Sequence, residues 1–280
     1  MSRAKKKRQS VACIFMVLLI LISIVMLFPL FWLVRSSFMT QRELMTVPIK
    51  WFPAHFSFIN FREVFRLSPF HIYLFNSALL ASINVVGQIL SASFIAFGFA
   101  RLRFRFRGFW FAMLISTMML PYTVVMIPQF IFWTNLLNAY NTFFPLTLPA
   151  FFGHPFHVFL VRQFYMGIPD YYDEAARVDG ASYLVIYSKI IVPMSKPALT
   201  SVGVFTFVGI WNEFLGPLLY LDRDNLRTVS LGLTRLVGEY GDMVQVQLAG
   251  ATLSVIPMIA LFFFAQRYFI EGITFSGLKG

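Results

Sequence analysis

Cysteine is almost absent from this chain, since Cys13 is the only cysteine among 280 residues. A single cysteine excludes an intrachain disulfide and a cysteine-based metal cluster. Charged residues are also scarce, at 12%, whereas 58% of the residues are hydrophobic and the mean hydropathy is +0.72. These values lie far outside the usual balance of a soluble domain, so the composition predicts a polytopic membrane protein.

Several catalytic patterns are missing as well. The phosphate-binding motif G-x-x-x-x-G-K-[ST] does not occur, so the chain cannot hydrolyse ATP by that chemistry and an ATP-driven activity would need another polypeptide. The internal repeat used by secondary transporters is also missing. His154 and His157 are three residues apart, but Pro155 intervenes and no carboxylate or cysteine lies nearby. A structural or interfacial role for the two histidines is therefore favoured over a metal site.

Six apolar segments are long enough to cross a bilayer as helices. Their predicted bounds are 11–34, 73–99, 109–130, 143–161, 198–221 and 244–269. The first segment exceeds the apolar region of a secretory signal and lacks a convincing cleavage site, which predicts a retained transmembrane helix. Prolines 121 and 128 are expected to bend the third helix. The sequence thus divides into residues 1–72 (basic N-terminus, first helix and outer loop), 73–269 (a core of five helices) and a tail, 270–280.

The formal net charge of +11 is explained by topology rather than by nucleic-acid binding. With a cytoplasmic N-terminus and six crossings, 15 of the 23 lysines and arginines fall on the inner side, in the shorter segments. Arg101, Arg103, Arg105 and Arg107 form a run at a helix end, which is typical of anchors at an anionic inner leaflet. The charge pattern therefore predicts that both termini are cytoplasmic, although the first outer loop also carries five basic residues.

Polar side chains within the apolar segments are candidates for function. An amide or carboxyl group in a membrane helix is unfavourable unless it faces another helix or an aqueous path. Hydrogen bonds between helices explain these amides in one interpretation, and a substrate path explains them in the other. Glu213 alternatively forms a structural pair or lies near the outer interface. The candidate residues of a translocation path are Asn76, Asn84, Gln88, Asn212 and Glu213.

A polar, helix-forming stretch lies between two long apolar segments and reads DYYDEAARVDGASYLVIYSKIIVPMSKP, residues 170–197. Asp170 is a favourable helix N-cap, and Asp173 and Glu174 place negative charge near the positive end of the helix dipole. Asp173 is spaced to pair with Arg177 on the exposed face. We therefore expect a short helix outside the membrane.

The same stretch then predicts a turn and a second helix. Ala175 and Ala176 allow close backbone approach by a partner, although two alanines alone are also explained by helix propensity. Gly180 suits the left-handed conformation that ends a helix. A second short helix is expected over 182–191, stopped by Pro193 and Pro197. Together these features predict a helix-turn-helix that faces water.

The spacing in this stretch closely resembles the EAA loop of binding-protein-dependent ABC importers. Glu174-Ala175-Ala176 is followed after three residues by Gly180, then by Ile190 and by Val192-Pro193, where the family usually has leucine at the position of Val192. The sequence WNEF at 211–214 and the ending RYFIEGITFSGLKG resemble elements of carbohydrate-type permeases. The resemblance covers about residues 70–280.

This resemblance implies the type I ABC importer permease fold, with six transmembrane helices and cytoplasmic termini, in a bacterial or archaeal cell (inner) membrane. The loop at 164–197 would be the cytoplasmic coupling element that docks on a separate ATPase dimer. The residues implied in coupling are Asp173, Glu174, Ala175, Ala176, Asp179, Gly180 and Pro193. The chain itself would hold no cofactor, because ATP and Mg would be bound by the ATPase.

The resemblance also implies partners and a substrate class. The partners are a second permease subunit, the ATP-binding subunit dimer and an extracytoplasmic solute-binding protein, with a sugar as substrate, the lipid bilayer as surroundings and no nucleic acid. Residues 272–280 are expected to contact the ATPase, and the mixed-charge outer loop 222–243 the binding protein. Permeases for amino acids, phosphate or glycerol phosphate remain alternatives. A secondary transporter, a channel and a membrane enzyme are further alternatives from other classes.

Overall fold

The structure is a computed structural model that describes the backbone of residues 3–276 and the side chains of residues 12–266. The N-terminal lysines and arginines at 3–8 and the expected ATPase contact at 272–280 lie outside the described side chains. Within the described residues every regular element is a helix. The contacts divide the chain into two units, one formed by Met1–Phe70 with Leu233–Val255 and the other by His71–Gly232 with Ile256–Gly280.

The helices follow the predicted order but differ in their bounds. The longer ones are α1 (Arg3–Ser37), α2 (Ile59–Leu67), α3 (Phe70–Arg101), α4 (Arg107–Ser116), α5 (Tyr122–Ile131), α6 (Pro155–Gly167), α7 (Tyr171–Val178), α8 (Lys196–Asn212), α9 (Leu215–Tyr220), α10 (Val229–Glu239) and α11 (Val244–Ser276). Short α-helical turns occupy Gln41–Leu44, Phe144–Thr147, Tyr183–Val185 and Val192–Met194. The 3-10 segments are Thr117–Met119, Leu148–Phe152 and Asp224–Leu226, and the π-helical segments are Phe132–Leu136 and Ile186–Ile191.

Four helical stretches in the described part of the chain are long and apolar enough to cross a membrane: Ala12–Ser37, Phe70–Arg101, Phe144–Gly167 and Val244–Gln266. Two further pairs of helices meet this criterion jointly but bend sharply, by 94° between Arg107–Met119 and Tyr122–Leu136 and by 76° between Tyr183–Met194 and Lys196–Asn212. The described residues thus contain four spans, or up to six if each bent pair is one span.

The third predicted helix bends at Pro121 as expected, by 94°, because proline cannot donate the backbone hydrogen bond that continues a helix. Three other predictions about helix bounds were wrong. The fifth predicted helix, at 198–221, is interrupted at Glu213 between α8 and α9. The fourth begins as Phe144–Thr147, is interrupted around Gly153, where φ is +83°, and continues to Gly167, beyond the predicted end at 161. The predicted loop at 222–243 contains helix α10.

The first unit is held together at the end of α1 by polar contacts. The Asn60 amide donates to the carbonyl oxygens of Ser37 and Met39, both at 2.8 Å. Arg35 donates to the carbonyl oxygen of Lys50 at 2.7 Å. These bonds fold the segment after α1 back against the end of that helix.

The core of the second unit lies where α3 meets α6 and the polar stretch after it. Ala92 and Ala96 on α3 are fully buried, as are Val161 and Tyr165 on α6. The small alanine side chains let the neighbouring helix approach α3 closely, and Ile186 from the polar stretch closes the same cluster. The polar stretch is therefore anchored on the membrane helices and is not a loose connector.

Candidate functional site

The turn after α7 has the conformation that the sequence predicts. Gly180 has φ of +78°, in the left-handed region. The amide of Ala181 donates to the carbonyl oxygen of Ala176 at 2.9 Å, and the amide of Gly180 donates to that of Arg177 at 3.1 Å. This pair of bonds is a Schellman motif, which ends a helix with its last carbonyl groups satisfied.

The start of α7 differs from the prediction. Asp170 occupies the N-cap position, but its side chain makes no capping hydrogen bond. Its carboxylate instead forms an ion pair with Arg101. The backbone of Asp170 is helical (φ −66°, ψ −21°), whereas an N-cap residue that bonds to the first turn is typically extended, which explains the missing cap.

Arg101, at the end of α3, connects three elements. Its side chain is only 5% exposed, although the sequence predicts a lipid-facing anchor. Besides Asp170, it contacts the Asp173 carboxylate, with Nε 3.3 Å from Oδ2, and donates to the carbonyl oxygen of Ile168 at 2.8 Å. One guanidinium therefore holds the end of α6 and the first turn of α7 on the end of α3.

This contact also corrects the predicted ion pair within α7. Asp173 pairs with Arg101, whereas the Arg177 guanidinium lies over the ring of Tyr183, 5.6 Å from its centroid. Burial raises the pKa of the Asp173 carboxyl above its ordinary value, and the charge of Arg101 opposes this shift. One feature of the sequence points to an ion pair of Arg101 with the polar stretch. Arg101 directly follows the apolar residues of α3, and Asp170 and Asp173 lie three residues apart further along the chain.

The two alanines of the predicted motif have different environments. Ala176 is buried against the core of the second unit, whereas Ala175 is exposed. Glu174, Asp179 and Gly180 are exposed beside Ala175. The motif thus has an inner side that attaches α7 and an outer side that is open to a partner.

The exposed side continues past the turn and is partly apolar. Val178 is 89% exposed and Leu184 66% exposed. Isolated exposed apolar side chains are ordinary, but these two flank the left-handed turn on a small polar element. We call the exposed residues of 174–184 the docking face, after the role that the resemblance to the EAA loop implies for them.

Pro193 is exposed and does not end the second helix as predicted. It lies at the beginning of the short turn Val192–Met194, where a proline is compatible with helical geometry. The chain changes direction only after Met194, by 76°. Ser195 is fully buried at this bend.

A polar cleft of about 670 Å³ lies between the end of α3 and α7. Its lining includes Arg101, Arg103 and Arg107 on one side and Asp170, Asp173 and Glu174 on the other. Arg101 crosses this cleft by its ion pairs with Asp170 and Asp173, and Arg177 adds a positive charge on the α7 side. Within the described residues no group of three or more His, Cys, Asp or Glu side chains is placed to bind a metal ion.

Three of the five candidate path residues are buried on α3 and bond to neighbouring elements. The Asn76 amide donates to the carbonyl oxygens of Asn225 and Arg227, at 3.0 and 2.9 Å. The Asn84 amide donates to that of Leu146 at 2.9 Å. These contacts correspond to the interpretation of the amides as bonds between helices.

Gln88 occupies the equivalent position one turn further along α3. Its side-chain oxygen accepts from the backbone amide of His154 at 3.2 Å and lies 3.1 Å from Nδ1 of His157. The rings of His154 and His157 are 5.1 Å apart. The amide thus positions the start of α6 on α3.

Asn212 and Glu213 lie at the break between α8 and α9. Asn212 is exposed and donates to the carbonyl oxygen of Val208 in its own helix. The Glu213 carboxylate accepts from the amide of Gly216 at 2.9 Å, and the Glu213 carbonyl accepts from the Ser230 hydroxyl at 2.6 Å. Glu213 therefore stabilises the first turn of α9.

Comparisons with known proteins agree with this architecture. Residues 88–274 match the family described as binding-protein-dependent transport system inner membrane component. The chain is 32% identical over 262 residues to an arabinooligosaccharides transport system permease protein of Halalkalibacterium halodurans, covering 92% of this chain and 93% of the relative. It is 30% identical over 268 residues to an sn-glycerol-3-phosphate transport system permease protein of Yersinia enterocolitica, covering 93% and 95%.

One solved structure has a similar fold. It is a bacterial ABC transporter involved in the import of the acidic polysaccharide alginate, with a TM-score of 0.80 and 22% identity. The match covers 96% of this chain and 99% of the matched chain.

Proposed function

Because this chain belongs to the family of binding-protein-dependent transport system inner membrane components, we propose that it is a permease subunit of an ATP-driven sugar importer. It forms half of the translocation pathway for a sugar or oligosaccharide, and a second permease subunit forms the other half. An extracytoplasmic solute-binding protein delivers the substrate, and a separate ATPase dimer supplies the energy. The chain spans the inner membrane six times, with both termini in the cytoplasm.

The docking face is the observation that carries this proposal. A permease without a nucleotide site needs a rigid surface on which a partner can pull. Glu174, Ala175, Asp179 and Gly180 contact the ATPase, while Asp173 and Ala176 attach α7 to the membrane helices. Pro193 lies in the last turn of the second helical segment, which ends at Met194 before the chain bends and re-enters the membrane. ATP and Mg bind to the ATPase and not to this chain.

Transport follows an alternating-access mechanism. Closure of the ATPase dimer on ATP moves α7, and the broken helices around Pro121 and Glu213 open the pathway to the outer side. Asn212 and Glu213 lie at such a break and remain candidates for the pathway. The amides of Asn76, Asn84 and Gln88 are engaged between elements, so we assign them to holding the helices together.

A sugar is favoured as substrate by the arabinooligosaccharides permease among the relatives. Glycerol phosphate is the second candidate, because a permease for sn-glycerol-3-phosphate is similar over nearly the whole chain. The two classes differ in charge. Uptake measurements with a neutral oligosaccharide and with a phosphate ester therefore separate them.

The test begins with purification of the tagged chain from its native host in mild detergent. We expect a second permease and an ATPase to co-purify and, after reconstitution with the binding protein, ATP-dependent uptake of an arabino-oligosaccharide. Replacing Ala175 with Gln should release the ATPase, because bulk on the docking face prevents close approach. Ala175→Ser is the matched control and should retain it. Uptake by the chain alone in liposomes would contradict the proposal.

A further inference from the structure

We propose that helix α3 is the mechanical link between the docking face and residues 224–229, with Arg101 and Asn76 as its two attachment points. This inference deepens the proposed function, on which it rests. The attachment points are 25 residues apart, which corresponds to about 38 Å along a straight helix.

The attachment at the docking end is the contact of Arg101 with Asp170, Asp173 and the carbonyl oxygen of Ile168. The Arg101 side chain is 5% exposed and the Asp173 side chain 16% exposed, so water and salt screen this pair less than a surface pair, whereas the Asp170 carboxylate is 82% exposed and its pair is screened more. A second bond lies nearby, between the hydroxyl groups of Ser93 on α3 and Tyr187, at 2.7 Å. Tyr187 belongs to the π-helical segment that follows the docking face. Helix α3 is thus attached to the polar stretch both before and after the turn at Gly180.

At the other end of α3, several hydrogen bonds attach the helix to residues 224–229. Asn76 donates to two carbonyl oxygens of residues 224–229, and the Tyr73 hydroxyl donates to the Asp224 carboxylate at 3.0 Å. The Ser77 hydroxyl accepts from the amide of Val229 at 2.8 Å. Asn76 and Ser77 are both buried. Three side chains within five residues of α3 therefore hold one short segment.

Between these ends α3 is a single helix of 32 residues without proline. The neighbouring bent pairs turn by 94° and 76°. A break absorbs motion locally, whereas an unbroken helix with continuous hydrogen bonds carries a displacement from one end to the other. Helix α3 is therefore suited to transmit a displacement of α7 to residues 224–229.

The link predicts that residues 224–229 change their surroundings when the ATPase closes. A fluorophore on Asp222→Cys, in a Cys13→Ser background, reports this change in the co-purified complex in nanodiscs. Trapping with ATP and vanadate should shift the emission of the wild-type complex. In Arg101→Gln the shift should fall by about fivefold or more, while ATP hydrolysis and assembly persist.

Arg162→Gln is the matched control. Arg162 donates to the carbonyl oxygen of Phe99 and stacks on Phe111, and both of these partners lie outside α7. It should respond as the wild type does. Asn76→Leu tests the opposite end of α3 and should reduce the emission shift to a similar extent. The double variant with Arg101→Gln should reduce the shift little further, because both residues act on one path.

The outcomes separate this inference from the proposed function. A wild-type preparation that contains no ATPase and hydrolyses no ATP contradicts the proposed function. A wild-type complex that hydrolyses ATP without any shift, or an assembled Arg101→Gln complex with a full shift, overturns the link through α3. If Arg101→Gln does not assemble, Asn76→Leu alone decides, since a full shift in that variant also overturns it.

Discussion

At the scale of single residues, Gly180 and Gly98 have equal space around them but different backbone conformations. A Cβ built at either position would have no other atom within 4 Å beyond the immediate chain. Gly180 has a φ of +78°, whereas Gly98 lies inside α3 and has no positive φ. The requirement for glycine at 180 therefore comes from the backbone and not from packing.

Gly180→Ala should lower the stability of the turn by about 1–2 kcal/mol, because an L side chain in the left-handed region approaches its own carbonyl oxygen. Hydrogen exchange at the amide of Ala181, which closes the Schellman motif, measures this loss directly. We also expect a lower ratio of sugar transported to ATP hydrolysed.

Gly98→Ala provides the control for that experiment. Alanine in a helix interior is favoured over glycine by about 0.5–1 kcal/mol, so this variant should keep or raise stability. Equal exchange rates at Ala181 in Gly180→Ala and wild type would refute the assignment of strain.

Single residues also show where sequence reasoning succeeds. The role of Gly180 in the turn is predictable, because a helix end depends on a few neighbours in sequence. The role of Arg101 is not, because its partners Asp170 and Asp173 are about 70 positions away. From the sequence alone, a run of arginines at a helix end is interpreted as anchors at the lipid surface. Only the fold shows that one of them, Arg101, lies against a carboxylate.

At the scale of elements, helix α10 likewise could not be predicted from the neighbouring residues in sequence. Residues 222–243 have mixed charge and were predicted to be a loop, yet Val229–Glu239 is helical. Its position depends on α3, since Gly232 lies against the ring of Tyr73. A glycine within an amphipathic stretch lowers helix propensity, and its packing role is visible only when the facing residue is known.

Gly232→Ala should destabilise the fold by about 1–3 kcal/mol. The added Cβ would lie 2.9 Å from Cε2 of Tyr73, a fully buried side chain whose hydroxyl is bonded to Asp224. Thermal unfolding in detergent measures the loss.

Gly238→Ala lies in the same helix with no atom within 4 Å of its added Cβ and is the matched control. It should leave the unfolding temperature unchanged or raise it. A similar fall for both glycine variants would mean that the helix, and not the contact with Tyr73, determines the effect.

At the scale of the whole molecule, composition and the spacing of residues 174–193 were sufficient to predict a membrane permease. Both signals are local, since hydropathy selects membrane spans and a short motif identifies the family. The pairing of elements depends instead on hydrogen bonds over long distances in sequence, such as that between Asn76 and Arg227. The fold class was thus predictable, whereas the contacts that connect its parts were not.

The most apolar part of the first helix is exposed in the described structure. Its most apolar window has a mean hydropathy of 3.1 and none of it is buried, compared with 39% for the window in Phe70–Arg101. Leu18, Ile22 and Val25 share one stripe of α1 and are each about half exposed or more. We expect this stripe to contact lipid or the second permease.

Leu18→Ala, Ile22→Ala and Val25→Ala combined should therefore leave the unfolding temperature of the isolated chain in detergent unchanged, because no cavity is created. Leu80→Ala, at a side chain that is 2% exposed, should cost about 2–5 kcal/mol by opening a cavity. Co-purification of the second permease with the triple variant then shows what the stripe contacts. If the second permease is lost, the stripe contacts that subunit, and if it is fully recovered, the stripe contacts lipid. A fall in unfolding temperature as large as that of Leu80→Ala would show that α1 packs on its own chain.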